Sequence, residues 1–309
     1  MPAVHVIAIF GPTGVGKSAV ALALARRLRA RGEDPVAVSA DALQIYRGLE
    51  ILTGAADALA TGDELEHRLI ACVPLQDSFS VGRFAALAHT EIDALLEAGR
   101  RPIVVGGTGL YLRAALSDLD LKPPVAPALR AEVMARLHRG GPQALHDELA
   151  ARRPDLAARV SPGDSQRLTR LHELLLAGIE PAPPPEEQLW TGRTRHPTLL
   201  AGLTLQRNAL YARIDARVAA MVAAGAVEEV RAAAAAGAGP SARKAVGFRE
   251  LLAGDVEAMA QRSRQYARRQ LTWMRKLPDV LQIDLTHQEP DQAASRILAA
   301  LDAASLPDR

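Results

Sequence analysis

A glycine-rich loop with a single lysine is the stretch of this sequence with the clearest chemistry. Residues 11–18 read GPTGVGKS and fit the pattern G-x-x-x-x-G-K-[ST], in which successive backbone N–H groups point at phosphate oxygens. Lys17 would add a positive charge, and the Ser18 hydroxyl could ligate Mg²⁺. The pattern therefore predicts a phosphate-binding site made of Gly11, Pro12, Thr13, Gly14, Val15, Gly16, Lys17 and Ser18.

The elements on either side of this loop suit that role. Residues 4–10, before the loop, are apolar and rich in β-branched side chains, which predicts a buried parallel strand from Val4 to Phe10. The Ala- and Leu-rich stretch from Ser18 to Arg31 predicts a helix whose N-terminus would face the bound anion.

Further apolar runs alternate with helical patterns along the chain. An amphipathic helix is predicted from Arg83 to Ala98, with Phe84, Leu87, Ile92 and Leu95 among its apolar positions. The further predicted strands are Pro35 to Asp41, Arg101 to Val105, Leu199 to Leu205 and Val280 to Leu285. This alternation predicts an α/β fold, a P-loop NTPase-like core with a doubly wound parallel sheet.

A helical, polar segment interrupts this pattern. No strand is predicted between Lys122 and Glu187, and the segment is bracketed by the Pro-rich stretches KPPVAP and PAPPPEE. We expect a small all-helical insertion domain at residues 122–190, between a first core part at 1–121 and a second at 191–309. Within the second part, the Ala-rich run from Val218 to Gly239 predicts one helix.

Composition limits the class of protein. The 309 residues are 49% hydrophobic with a formal net charge of +2, so a basic surface must come from local clustering. The single cysteine, Cys72, excludes an internal disulfide. Neither a signal peptide nor a membrane span is expected, because the N-terminal apolar run is short and leads straight into the loop. We expect a cytoplasmic monomer with no membrane partner.

Two further stretches carry candidate site residues. Asp41 follows the second strand, where it could act as a base, hold metal-bound water or simply cap a turn. The second glycine-rich stretch, VVGGTGLY at 104–111, lacks a lysine and so is not a second phosphate loop. Its glycines would let the backbone approach a ligand closely, with the Thr108 hydroxyl available for a hydrogen bond.

Clustered arginines favour a polyanionic macromolecular partner. In the last third of the chain, Met259, Tyr266 and Trp273 recur every seven residues, which predicts a packed seam. A separate basic ridge is predicted from Arg262, Arg269 and Lys276, which share the same spacing. Further arginine groups that we attribute to the same partner are Arg167 with Arg170, and Arg207 with Arg213 and Arg217.

Eight motifs together resemble one family. GPTGVGKS, SADALQIYRGLEI, FSVGRF, RRPIVVGGTGLYLRAAL, SPGDSQRLTR, LYARIDARV, AVGFREL and QYARRQLTWMRK follow the order and rough spacing of the tRNA dimethylallyltransferases, also called tRNA isopentenyltransferases. The resemblance covers nearly the whole chain. It implies transfer of a five-carbon allylic group from dimethylallyl diphosphate to the exocyclic amine of the adenosine 3′ of the anticodon in tRNA.

This resemblance assigns roles to the candidate residues. The loop would hold diphosphate, with Lys17, the loop amides and Mg²⁺ on Ser18 stabilising the charge that develops on the leaving group. Thr13 would bond a diphosphate oxygen. Asp41 would take a proton from the amine of a flipped-out adenine, which is a poor nucleophile. The implied tRNA contacts, to the anticodon stem-loop, are Asp41, Ala42, Leu43, Gln44, Thr108, Arg130, Gln166, Arg167, Leu168, Thr169, Arg170, Lys244, Ala245, Val246, Gly247, Phe248 and Arg249.

Three other functions stay open at this point. The closest is a prenyltransferase that acts on free AMP, ADP or ATP with the same core, against which the arginine-rich insertion and C-terminal helices argue. A P-loop kinase or ATP-binding module is the second, because a phosphate loop alone does not fix the reaction. A tRNA-binding protein without catalytic activity is the third.

Overall fold

Six parallel strands form the centre of the protein. The computed structural model describes residues 5–181 and 188–305. Within them the sheet has the order β3-β2-β4-β1-β5-β6, and every pair is parallel. The strands are β1 Val6–Phe10, β2 Pro35–Ser39, β3 Glu66–Arg68, β4 Arg101–Gly106, β5 Thr198–Thr204 and β6 Leu281–Asp284.

The order of the strands explains where a site can form. β1 lies between β4 and β5, and its last pairs are Phe10 with Gly106 and Phe10 with Gly202. The chain leaves β1 toward α1, and connections depart to both sides of this central strand. In open parallel sheets a crevice opens beyond the carboxyl ends of the strands at such a point. The glycine-rich loop lies at this crevice because it follows β1 directly.

The remaining regular structure of the described residues is helical. Two short 3₁₀ turns lie at Gln188–Trp190 and Ala242–Lys244. The helices are α1 Lys17–Ala30, α2 Glu50–Thr53, α3 Ala55–Ala60, α4 Val81–Glu97, α5 Gly109–Leu116, α6 Pro127–Arg152, α7 Pro154–Ala157, α8 Ser165–Leu176, α9 Arg207–Ala223, α10 Ala226–Ala235, α11 Phe248–Leu252, α12 Val256–Met274 and α13 Pro290–Ser305.

The predicted α/β class and parallel sheet are confirmed. Each predicted strand is present within one or two residues, although Val4 lies outside the described residues. The prediction of one helix from Val218 to Gly239 is wrong: α9 ends at Ala223 and α10 begins after Gly225, whose φ of 99° is left-handed. Such a φ interrupts a right-handed helix, and glycine adopts it without steric cost.

Two other details differ from the expectations. β3 is missing from the predicted strands because it has only three residues, Glu66–Arg68, none of them apolar. Leu87, expected on the apolar side of its helix, is 40% exposed, whereas Phe84, Ile92 and Leu95 of α4 are buried. β3 therefore forms through its pairing with β2 and not through an apolar run of its own. The buried face of α4 is narrower than its composition suggests.

The described residues divide into two compact units. One consists of the residues through Leu119 and from Gln188 onward, and it contains the sheet. The other begins at Asp120, ends before Gln188 and contains helices α6 to α8. Its own apolar core includes Val133, Leu149 and Leu168. Of the two predicted Pro-rich hinges, KPPVAP has no regular structure up to Ala126, and its last residue, Pro127, begins α6. Residues 182–187 of the other hinge lie outside the described residues.

Among residues 5–181 and 188–305, no helix is both long enough and apolar enough to span a membrane.

Candidate active site

The glycine-rich loop is shaped by two left-handed glycines. Gly14 has φ 79° and Gly16 has φ 107°, which turn the chain tightly between β1 and α1. The fit is close, because a Cβ on Gly14 would come 3.0 Å from the Ile214 side chain. Gly16 then serves as the N-cap of α1, so the positive end of this helix dipole faces the loop.

Lys17 is held over the loop by backbone carbonyls. Its Nζ donates to the carbonyl oxygens of Gly11 and Pro12, both at 3.0 Å. Burial, followed by the nearby positive charge of Arg217, lowers the pKa of Lys17 from 10.5 to about 8, and the charge of Asp41 opposes this shift. A cation kept in such an unfavourable environment would be stabilised by an anion arriving beside it.

Arg217 is the second cation at the loop. It projects from α9, and its Nη1 donates to Thr13 Oγ1 at 3.0 Å while Nη2 lies 3.4 Å from the Thr53 carbonyl oxygen. Burial lowers its pKa, an effect that the charges of Asp57 and Asp41 oppose. Gly54 makes room for this guanidinium, because a Cβ there would overlap Nη2. Arg213, one turn earlier on α9, donates from Nη1 to the Val15 carbonyl oxygen at 3.3 Å.

A cavity of about 350 Å³ opens in front of Lys17, Arg213 and Arg217. The phosphate-loop residues that line it are Thr13, Gly14, Gly16, Lys17 and Ser18, and the carboxylates are Asp41 and Asp57. Its apolar walls include Leu43, Leu52, Val105, Ile214, Met221 and Met259. The site thus combines a cationic, anion-binding end with apolar walls, and can hold a ligand that has both characters.

Asp41 sits on the wall of this cavity, just past the end of β2. Its Oδ1 accepts a hydrogen bond from the Leu43 N–H at 3.0 Å, which closes a tight turn. Gln44 in the same turn is held by the Ser39 hydroxyl, which lies 3.0 Å from its Oε1. The turn therefore fixes a carboxylate at the cavity, where it can accept a proton from a bound group.

Helix α12 covers the other side of the site. The Tyr266 and Thr108 hydroxyls are 2.9 Å apart, and Gln270, one turn later, contacts both glycine-rich loops. Trp273 packs so closely that a Cβ on Gly109 would overlap its indole ring. The predicted seam is confirmed at Met259, which is 2% exposed, while Tyr266 and Trp273 are partly buried over the VVGGTGLY stretch.

The structure distributes the predicted site residues unevenly. Of the predicted phosphate loop, Gly11, Pro12 and Val15 do not line the cavity, since they face the protein interior. Of the predicted tRNA contacts outside the phosphate loop, Asp41, Leu43, Gln44, Ala245 and Val246 line the same cavity. Leu168, Thr169 and Phe248 are buried at 0%, 6% and 0% exposure, so their side chains serve packing rather than contact with a macromolecule.

The remaining predicted tRNA contacts are accessible to different degrees. Lys244, Arg249, Gln166 and Arg167 are exposed. Arg130 and Arg170 both form ion pairs with the buried Glu173, at 3.2 Å each, so their charges are already compensated within the helical unit. The predicted basic ridge of Arg262, Arg269 and Lys276 is exposed, but Arg262 pairs with Glu250 and Arg269 lies over the Tyr266 ring.

Three residues that shape the cavity have roles that the sequence does not reveal. The arginine clustering predicts Arg217 on a surface for a macromolecular partner, although its four-residue spacing from Arg213 signals that both lie on one helix face. Gln270 gave no signal. Glu229 of α10 accepts from the Ile51 and Leu52 N–H groups, both at 2.8 Å, and so holds α2, a wall of the cavity, from a distant part of the chain.

Comparison with known proteins identifies the family. The model of the family described as IPP transferase matches residues 44–277. The chain belongs to this family. It is 46% identical to a protein named tRNA dimethylallyltransferase from Rhodospirillum centenum, over 89% of this chain and 90% of the relative. It is 38% identical to the protein of that name from Kineococcus radiotolerans, over 98% of each. The resemblance stated from the motifs is confirmed.

Solved structures give the same result for the fold. A tRNA isopentenylpyrophosphate transferase from Bacillus halodurans superposes with a TM-score of 0.67 at 32% identity, covering 97% of each chain. A eukaryotic dimethylallyltransferase acting on tRNA reaches a TM-score of 0.76 at 23% identity, covering 99% of this chain and 81% of the other. The second likeness concerns the fold alone, since the identity is low.

Proposed function

We propose that this protein is a transferase that moves the dimethylallyl group of dimethylallyl diphosphate onto the exocyclic amine of the adenosine 3′ of the anticodon in tRNA. The observation that carries this proposal is the cavity itself, with the cations Lys17, Arg213 and Arg217 at its phosphate-loop end, apolar walls and the Asp41 carboxylate. Relatives at 46% and 38% identity bear the name tRNA dimethylallyltransferase.

The reaction needs little beyond these groups. The allylic carbon–oxygen bond of the donor breaks, and the diphosphate leaves with the electron pair. The adenine amine forms the new nitrogen–carbon bond, and its proton passes to Asp41. Lys17, Arg217 and the loop amides stabilise the negative charge that grows on the departing diphosphate, and the N-terminus of α1 adds to this effect.

A magnesium ion fits this arrangement through Ser18. Its side chain is exposed and lines the cavity beside Lys17, where its hydroxyl could ligate the ion together with diphosphate oxygens. Within residues 5–181 and 188–305 no cluster of three or more His, Cys, Asp or Glu residues could hold a metal by itself. When bound, the ion would neutralise charge on the diphosphate; the chain's own residues bind and orient the donor.

The tRNA would reach the same cavity from outside. The exposed residues Lys244 and Arg249, and Gln166 and Arg167 of the helical unit, are the proposed contacts to the anticodon stem-loop. The phosphate contacts among them would position the RNA, while the flipped-out adenine would enter toward Asp41. We also propose that the protein is a monomer and works in the cytoplasm, where its tRNA substrate is found.

Labelled dimethylallyl diphosphate tests the reaction directly. The protein is incubated with Mg²⁺ and either an anticodon stem-loop RNA or AMP, and ATP hydrolysis is followed in parallel. We expect label on the RNA alone. Label on AMP would indicate the free-nucleotide prenyltransferase, and ATP turnover with unlabelled RNA would indicate the kinase. RNA binding without any turnover would leave the non-catalytic tRNA-binding protein.

The role of Asp41 can be tested with a variant that preserves the local turn. Asp41→Asn keeps an oxygen for the Leu43 N–H but loses the charge that accepts a proton. We expect transfer to fall by about 100- to 10,000-fold while the affinity for tRNA stays within about twofold. Asp41→Ala should lose the same activity. Near-normal single-turnover rates in either variant would contradict the assignment of Asp41 as the base.

A further inference from the structure

Gln270 of α12 joins two loops that the sheet can no longer connect. The last pair between β1 and β4 is Phe10 with Gly106, and beyond it the two strands run into separate glycine-rich loops. The Gln270 side chain lies between these loops and is 4% exposed. Its Oε1 accepts from the Thr13 N–H at 2.8 Å, and its Nε2 donates to the Gly107 carbonyl oxygen at 2.8 Å.

We infer that Gln270 is a positioning residue of the transfer reaction: its amide replaces the missing backbone pairing and fixes the phosphate loop relative to the VVGGTGLY loop. This inference rests on the proposed function. One end of the amide accepts and the other donates, as a peptide group does in a sheet, so both loops are satisfied by one planar group. The diphosphate-holding loop and the loop bearing Thr108 are thereby kept at one separation.

The Gln270 amide is closely packed against both loops. A Cβ on Gly107 would overlap Gln270 Nε2 and lie 3.1 Å from the Gly11 carbonyl oxygen. Glycine at position 107 is therefore what lets the amide reach the backbone, and it brings the two loops into contact. The close approach of the Gln270 amide therefore explains why position 107 of the VVGGTGLY stretch is a glycine.

Neighbouring contacts show that Thr13 is held from two sides. Its N–H is taken by Gln270, so this amide is not available to a diphosphate, while its Oγ1 accepts from Arg217. One turn before Gln270, Tyr266 contacts Thr108 of the other loop. Helix α12 therefore holds both loops through two side chains on one face, and Thr13 connects this contact to the cation that would bind the donor.

The isosteric variant Gln270→Glu provides a test that depends on pH. An ionised glutamate can still accept from Thr13 but cannot donate to Gly107, whereas a protonated one can do both. The charged and titratable groups that line the same cavity as Gln270 are Lys17, Asp41, Asp57, Arg213, Arg217 and Tyr266. They are present in the parent protein as well, so the measured quantity is the ratio of variant to parent activity.

We expect kcat/KM for dimethylallyl diphosphate to be about 100-fold lower than in the parent at pH 8, with tRNA affinity within about twofold. The ratio should rise at least about fivefold between pH 8 and pH 6, as the new carboxyl gains its proton. Gln270→Leu, which can neither accept nor donate, should be equally impaired at both pH values. The matched control is Gln261→Glu, an exposed position on the same helix, which should leave the ratio at one.

Binding of inorganic pyrophosphate, measured by calorimetry, separates this inference from the proposed function. If the parent transfers nothing to RNA, the proposed function fails, but pyrophosphate affinity must still show the same pH-dependent ratio for Gln270→Glu. A flat ratio in that variant would overturn the positioning role. Tighter pyrophosphate binding by Gln270→Leu would also overturn it. That result would mean that the Thr13 N–H, once free of Gln270, binds the anion, and that its hydrogen bond to Gln270 hinders binding.

Discussion

Arg217 in the cavity and the arginines around Glu173 in the helical unit are used in opposite ways. In the helical unit, Glu173 is 1% exposed and pairs with both Arg130 and Arg170, and Arg170 also donates to the carbonyl oxygens of Lys122 and Pro123 at 2.9 Å and 2.6 Å. In the cavity, Arg217 contacts a hydroxyl and a carbonyl, and no carboxylate of the described residues lies within ion-pair distance of it. The paired arginines around Glu173 stabilise the helical unit, whereas the unpaired Arg217 of the cavity would be stabilised by a bound anion.

The difference teaches how to separate structural from functional cations. In the helical unit the buried carboxylate of Glu173 has two arginine partners, both at 3.2 Å, which offset its desolvation cost. The buried Arg217 guanidinium has no carboxylate partner among the described residues, and burial lowers its pKa and that of Lys17. The folded chain therefore carries a local electrostatic cost that a bound diphosphate would relieve.

Among the variants that test this contrast, removing Arg217 should give the largest effect. We expect Arg217→Ala to lower kcat for transfer by about 100- to 1,000-fold, because one charge-assisted donor to the leaving group is lost. Single-turnover rates at saturating tRNA would measure it. Arg207→Ala, an exposed position on the same helix, serves as the control. Equal losses in the two variants would mean that α9 binds RNA rather than diphosphate.

Removing Glu173 should chiefly affect stability. Glu173→Ala leaves Arg130 and Arg170, which are 59% and 35% exposed, without their shared partner, and should cost about 1 to 2 kcal/mol in the helical unit. Hydrogen exchange followed by mass spectrometry over residues 165–176 would report this as faster exchange. Glu148→Ala removes only an exposed partner of Arg136, and should cost about 0.5 kcal/mol. If Glu173→Ala exchanges as slowly as the parent, the arginines there are not structural.

The pH dependence of diphosphate affinity should report Lys17. With a pKa of about 8 in the free protein, Lys17 loses its charge as pH rises through that value, and a bound anion raises its pKa again. Affinity for pyrophosphate should therefore fall by about tenfold from pH 7 to pH 9, in addition to the titration of pyrophosphate itself. Lys17→Arg keeps its charge in this range, so its affinity should change only through the titration of pyrophosphate. If the parent and Lys17→Arg show the same dependence of affinity on pH, Lys17 is not the group responsible.

Removing Arg130 should give the smallest effect. Because its charge is already paired with Glu173, Arg130→Ala should weaken tRNA binding by no more than about twofold at physiological salt. Filter binding across a series of salt concentrations would measure the tRNA affinity and its dependence on salt. A tenfold loss would show that Arg130 exchanges its internal partner for an RNA phosphate, and would weaken the contrast between the two units.

Local patterns predicted most of the fold but only part of the site. The apolar runs of β1, β2, β4 and β5 and the loop GPTGVGKS were recognisable because each is determined by residues next to one another. β3 was not, since pairing with β2 selects it. Arg217, Gln270 and Glu229 act on residues more than 150 positions away, so their roles arise only from folding.

The absence of a side chain at Gly54 makes the cavity sensitive to a substitution that changes no charged residue. A methyl group there would occupy the space of the Arg217 guanidinium. A natural variant with alanine at this position would keep every acid and base of the site, yet behave as though a cation had been deleted. Inspecting only the chemically active residues of a relative would overlook such an inactive copy.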